Sequence, residues 1–174
     1  AKRGNDATDE MDILPHFSGI LVHDHWKPYY RYVRCLHSLC NAHHQRELTR
    51  AFEQDNQQWA GKMAELLNKI NTAVKEADGC LTEDECKKWR RKYRKLIKNA
   101  EKECPPPETD DLPQKKRGRI ARSKSRNLLE RLQKYQCDVL RFMENPDAPY
   151  TNNQGERDIR MAKVQQKISG CFRS

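Results

Sequence analysis

The sequence predicts an α+β domain in which helices greatly outnumber strands. Three observations carry this reading. One short apolar run, Ile20-Leu21-Val22 after Gly19, has the length of a buried strand. Two long stretches, starting near Trp59 and near Cys86, repeat apolar residues every three or four positions, the period of an amphipathic helix. At 174 residues the chain is sized for one ordinary domain, or a small one that carries an insertion.

Ala7, Met11 and Leu14 lie at i, i+4 and i+7, which predicts a short first helix stopped by Pro15. The strand is expected over 17–22, delivering His23, Asp24, His25 and Trp26 at its C-terminal end. No second strand is evident in the pattern. After Pro28 the period turns helical, and over 38–54 Leu39, Ala42, Leu48, Ala51 and Phe52 form one stripe. Trp59, Met63, Leu66, Leu67, Ile70, Val74 and Ala77 make the cleanest stripe, ended by Asp78-Gly79. Thr82 with Glu85 three residues on is a capping box, and behind it Cys86, Trp89, Tyr93, Leu96, Ile97 and Ala100 predict a helix antiparallel to the one before. Cys104, three prolines and Glu108 to Pro113 read as an irregular linker. One long helix is expected through Leu128, Leu132, Tyr135, Val139 and Phe142 to Asn145-Pro146-Asp147. Thr151, Asn152 and Asn153 are good N-cap residues for a last helix through Glu156. A buried strand needs partners, because unpaired buried backbone groups are costly, so the rest of its sheet is expected outside this chain.

Hydrophobic residues make up 36% of the chain and charged residues 34%, with a mean hydropathy of −1.10, which means a thin core and a heavily solvated surface. No run approaches the ~20 apolar residues that cross a bilayer, and the first residues have no apolar stretch like that of a signal peptide, so a soluble, cytoplasmic protein without membrane partners is expected. Lys and Arg total 34 against 25 Asp and Glu, a net charge of +9 that favours a polyanionic partner such as nucleic acid. Seven irregularly spaced cysteines argue against a complete disulfide framework. All six histidines fall before residue 45, which confines histidine chemistry to the first quarter of the chain.

Asp24 stands where the apolar strand ends, a place that presents reactive side chains, though a carboxylate there also caps turns. Glu156 stands in a first helical turn, where the helix dipole alone favours a negative charge. Three longer strings decide between these readings. His23-Asp24-His25-Trp26-Lys27-Pro28-Tyr29, then His37 to Leu48, then Asn152-Asn153-Gln154-Gly155-Glu156-Arg157-Asp158-Ile159-Arg160 resemble, in order, blocks of the insertion-sequence-66 family of bacterial transposases. The resemblance spans nearly the whole chain, and the linker at 104–118 is its least diagnostic part.

That resemblance implies a partial ribonuclease-H-like core with a helical-hairpin insertion and an Asp-Asp-Glu triad for DNA transposition. Asp24 matches the second acid and Glu156 the third, as catalytic and metal-binding residues. The first acid is expected upstream, so the chain alone is expected to be inactive. The cofactor implied is Mg²⁺ or Mn²⁺, because strand cleavage and joining need two divalent cations held by carboxylate oxygens. The implied division is 1–55 for part of the core, 56–118 for the insertion and basic linker, and 119–174 for the returning core helices. DNA is the implied partner, bound by a homo-oligomer, and the rival readings are a non-catalytic DNA-binding remnant and a zinc-stabilised module centred on Cys35 to His44.

Cys40 and His43 match a Cys-x-x-His element after the second acid and are expected to support the site together with Asn152 and Asn153. Zinc is not expected there, because one helix cannot readily supply four tetrahedral ligands at these spacings. Arg157 and Arg160 follow Glu156 at i+1 and i+4, so a helix salt bridge is open to Arg160, while the resemblance places both in the catalytic block and favours a DNA-phosphate contact for at least one of them. Lys163 joins them as a candidate DNA contact. Seven basic residues within Lys115 to Arg126, including Lys115, Lys116, Arg117 and Arg119, read as DNA backbone contacts or as a solvated loop. The nine Lys and Arg between Lys87 and Lys102 read as a solvated helix face.

Overall fold

The computed structural model describes residues 5–10, 12–107 and 122–169. Within them the chain is mostly helical around two short parallel strands, β1 (Ile20–His23) and β2 (Leu36–Leu39), in the register Ile20↔Leu36 to His23↔Leu39. The strand expected over 17–22 thus begins and ends later, and a partner strand lies within the chain after all. β2 carries no sequence signal because it is four residues long and polar His37 and Ser38 occupy its middle. The crossover between the strands contains a 3-10 helix, Lys27–Arg31.

The first helix, α1 (Asn5–Glu10), is shorter than its predicted stripe. Asp12 takes a left-handed φ of 51°, and Pro15 sits inside a separate 3-10 turn, Leu14–His16, where its missing N–H costs nothing. The predicted helix over 38–54 begins later, as α2 (Asn41–Glu53), because residues 36–39 extend as β2.

The predicted hairpin is formed by α3 (Gln58–Glu76) and α4 (Glu83–Glu103). The capping box opens α4, with the Thr82 side chain accepting from Glu85 N–H and the Thr82 N–H donating to Glu85 Oε2 at 3.0 Å. Its other end receives the start of α3, where the Glu103 carboxylate accepts the N–H of Trp59 at 3.1 Å and that of Gln58. The helices therefore run antiparallel. Trp59, Met63, Leu67 and Ile70 from α3 and Tyr93 from α4 are fully buried. The Tyr93 hydroxyl donates to Leu132 O at 2.9 Å, which joins the hairpin to the C-terminal third of the chain.

The expected single long helix is three pieces: α5 (Lys124–Lys134), α6 (Gln136–Leu140) and a 3-10 turn, Arg141–Met143. The break is at Tyr135 (φ −107°, ψ 32°), whose ring packs 4.6 Å from those of His25 and Tyr30. The bend turns the tyrosine toward the end of β1 while Leu128, Leu129, Leu132, Val139 and Leu140 stay in the core. The chain then passes through Tyr150 into α7 (Asn153–Asp158) and α8 (Arg160–Ser169).

Candidate functional site

Parallel strands end side by side, so the residues after β1 and β2 are neighbours. The Cys40 N–H donates to His23 O at 2.9 Å, which carries the pairing one step beyond the strands. Asp24 comes directly after His23. Its Oδ1 accepts the Trp26 N–H at 3.2 Å in an Asx turn, while the N–H of His25, held at φ 73°, donates to His23 Nδ1 at 3.2 Å. The loop that presents the carboxylate is therefore fixed by two local bonds and a strained residue.

His23 Nδ1 is an acceptor, so in the neutral ring the proton sits on Nε2 and is donated to His37 Nδ1 at 3.2 Å. Burial, followed by the neighbouring His37 and His25, holds the His23 pKa down to about 4. Burial and then Arg131 do the same for His25. Both rings are neutral at pH 7 and pack among Tyr29, Tyr30 and Tyr135. Burial and the nearby Asp24 push the Tyr29 phenol up.

The second half of the site returns from the far end of the chain. Asn41 N–H donates to Tyr150 O at 3.0 Å, and Cys40 Sγ accepts the Asn152 N–H at 3.2 Å. The Asn41 side chain donates from Nδ2 to Val139 O at 3.0 Å, and its Oδ1 accepts a hydrogen bond from His44 Nδ1–H at 3.1 Å. These bonds seat α7 against the end of β2. The result is a cavity of about 290 Å³ lined by Val22, His23, Asp24, Tyr29, Cys40, His43, Asn152, Glu156 and Ile159. Asp24 and Glu156, from opposite ends of the chain, share it. So does His43, whose Nδ1 is buried and has no hydrogen-bond partner among the described residues.

The model of the family described as Transposase IS66 family matches residues 1–174, the full length of the sequence. The chain belongs to the IS66 family of transposases. No curated protein and no solved structure matches it.

In this transposase-family chain, four of the residues singled out from the sequence, Asp24, Glu156, Cys40 and His43, meet in one cavity, and Asn152 joins them. Asn153 is the exposed first residue of α7 and does not line it. Asn152 precedes the helix without a side-chain cap bond, so its part is to lend its N–H to Cys40. Arg160 lies beside Glu156 in an adjoining open groove with Val164 and Lys167, and the two form no ion pair. Arg157 is exposed and lines neither space. The Lys163 side chain and Lys115, Lys116, Arg117 and Arg119 lie outside the described residues. Sequence reasoning does not single out His23 and Tyr29 as site residues, although both stand in the string that carries the resemblance.

The donor set is hard. Two carboxylates face the cavity, whereas the Cys40 thiol is engaged by Asn152 and the Cys35 thiol donates to Tyr32 O at 3.1 Å. Among the described residues no group of three or more His, Cys, Asp or Glu side chains is placed to hold a metal ion. Two carboxylates with space for water nevertheless suit Mg²⁺ or Mn²⁺, which retain waters and take further ligands from bound phosphate. No described helix is long and apolar enough to cross a membrane.

Proposed function

We propose that this cavity is the metal-dependent strand-cleavage and strand-transfer centre of the transposase, with Asp24 and Glu156 as ligands for divalent cations. One observation carries the reading: two carboxylates at opposite ends of the sequence line the same cavity. When bound, paired divalent cations activate the attacking oxygen and stabilise the leaving oxygen of a phosphoryl transfer. The work of the protein is placement. The Asx turn holds Asp24, and the Cys40–Asn152 bond sets α7, and with it Glu156, opposite. The partnerless His43 Nδ1 is satisfied by an oxygen of the DNA strand, and Arg160 with Lys167 holds a phosphate along the groove beside Glu156.

The same proposal takes 1–55 and 119–174 as parts of a ribonuclease-H-like core, 56–118 as its insertion, and a homo-oligomer on DNA as the working form. It also holds that this chain alone does not cut DNA, because the described cavity offers two carboxylates where the resemblance implies three.

The test is Asp24→Ala and Glu156→Ala, each in a complete mobile element carrying this coding sequence. Transposition is expected to fall below detection in both, and normal transposition in either defeats the assignment of that residue. Mn²⁺ titration of the purified chain supplies a direct readout: Asp24→Asn and Glu156→Gln are each expected to weaken binding at least tenfold.

A further inference from the structure

The strongest charge pattern lies away from the cavity, on the helix that closes the hairpin. From Lys87 to Lys98, α4 carries eight Lys or Arg and no acid. Within that stretch and just beyond it, Lys88, Arg91, Lys95, Lys98 and Lys102 stand at i, i+3, i+7, i+10 and i+14, one stripe along the helix, and all five are exposed. Cys86, Tyr93, Ile97 and Ala100 occupy the opposite face and are buried.

An ordinary solvated face mixes signs, as Glu65 and Lys69 do on α3 at i, i+4 with 2.6 Å between charged atoms. On α4 the acids are drawn away from the stripe. Glu83 and Asp84 pair with Lys87 and Glu85 closes the capping box, all three in the first turn. Glu101 pairs with Arg126 of α5 at 2.6 Å, and Glu103 holds the start of α3. None of the five stripe cations forms an ion pair among the described residues. Like charges three and four residues apart destabilise a helix, so the stripe stands against the stability of the element that bears it.

We propose that this outer face of α4 is a docking surface for the phosphate backbone of duplex DNA, separate from the Asp24–Glu156 cavity. The stripe spans about 21 Å at 1.5 Å per residue, which matches the rise of about six base pairs. An anionic membrane is disfavoured by the same geometry: an interfacial helix needs an exposed apolar face, and that of α4 is buried in the core. The site takes backbone phosphate and reads no sequence.

The experiment is fluorescence anisotropy of a labelled duplex with the purified chain across a salt series, without divalent metal. The variant Lys88→Gln/Arg91→Gln/Lys95→Gln/Lys98→Gln is compared with wild type and with a charge-matched control at exposed positions, Arg34→Gln/Lys62→Gln/Lys69→Gln/Lys75→Gln. For the stripe variant the slope of log affinity against log salt is expected to fall by up to about 3.6, at about 0.9 per lost phosphate contact. Affinity at 0.15 M salt should drop at least tenfold, with thermal stability unchanged or raised because repulsion is relieved. The control variant should change both quantities far less. The proposal is overturned by a wild-type chain that does not bind, by equal losses in the two variants, or by an unchanged stripe variant. Tighter binding to anionic vesicles or to duplex RNA overturns it as well. The stripe variant is expected to bind Mn²⁺ as the wild-type chain does, so failure here and failure of the cavity assignment are read separately.

Discussion

Replacing Cys40 by Ala tests how the two carboxylates are brought together. Cys40 is 1% exposed. Its N–H reaches His23 O next to Asp24, and its Sγ accepts the N–H of Asn152, the residue before the helix that bears Glu156. Alanine keeps the first bond and removes the second. The lost hydrogen bond costs about 1 kcal/mol and the lost buried sulfur about another 1 kcal/mol, so urea unfolding should show a destabilisation of about 2 kcal/mol. Serine restores an acceptor on a shorter bond and should recover part of this. The decisive readout is local. Amide exchange at Asn152 should accelerate in Cys40→Ala beyond what the global loss of stability explains, and Mn²⁺ affinity should fall several-fold while the rest of the fold stays protected. If Asn152 exchanges at the wild-type rate once global stability is accounted for, the thiol does not hold the two halves of the site, and the reasoning fails.

Three further outcomes rest on single contacts. Thr82→Ala removes one arm of the capping box and should cost about 1 kcal/mol by thermal or urea unfolding. His44 is buried with its pKa pushed down to about 3, chiefly by burial, so the unfolded chain binds a proton that the fold refuses. This contribution is absent above about pH 6.5 and removes up to about 1.4 kcal/mol per pH unit below it, until about pH 3. His44→Gln should make that part of the stability profile less steep by one histidine's share, with the shares of His23 and His25 remaining, and an unchanged slope would show that His44 titrates normally. Burial raises the Tyr93 phenol pKa, so stability should fall above about pH 10 as the unfolded chain ionises. Tyr93→Phe should remove one tyrosine's share of that loss, with the shares of Tyr29, Tyr30 and Tyr150 remaining, and, with the bond to Leu132 O gone, cost about 1 kcal/mol at neutral pH.

The helical parts of the fold were legible because their apolar residues repeat at the helical period over many turns, as from Trp59 to Val74, and because Thr82 and Glu85 mark a start by local chemistry. Asp24, Glu156, Cys40 and His43 were reachable through the strings that carry the resemblance, and the cavity gathers them. The features that stayed hidden depend on tertiary contacts. β2 exists because β1 lies beside it; four residues with His37 and Ser38 at their centre carry no period of their own. The break at Tyr135 arises from rings contributed by the crossover after β1, more than a hundred residues upstream. The Asn152–Cys40 bond leaves no mark in spacing, since neither residue hints at the other. The α4 stripe was visible as charge, but only the inward contacts, the ion pair of Glu101 with Arg126 and the hydrogen bonds that Glu103 accepts from the start of α3, distinguish it from an ordinary solvated face.

The bond between Cys40 and Asn152 spans 112 positions and closes the intervening chain into a loop whose two ends are pinned at the cavity. Closure entropy grows slowly with loop length, by about 0.6 kcal/mol for each doubling. Segments added at the exposed turn between α3 and α4, near Asp78, would therefore shift overall stability only slightly. They would leave the separation of Asp24 and Glu156 where the pinned ends set it. The hairpin is in this sense free to diversify in length and surface charge, while the two ends of the loop are held to a fixed geometry.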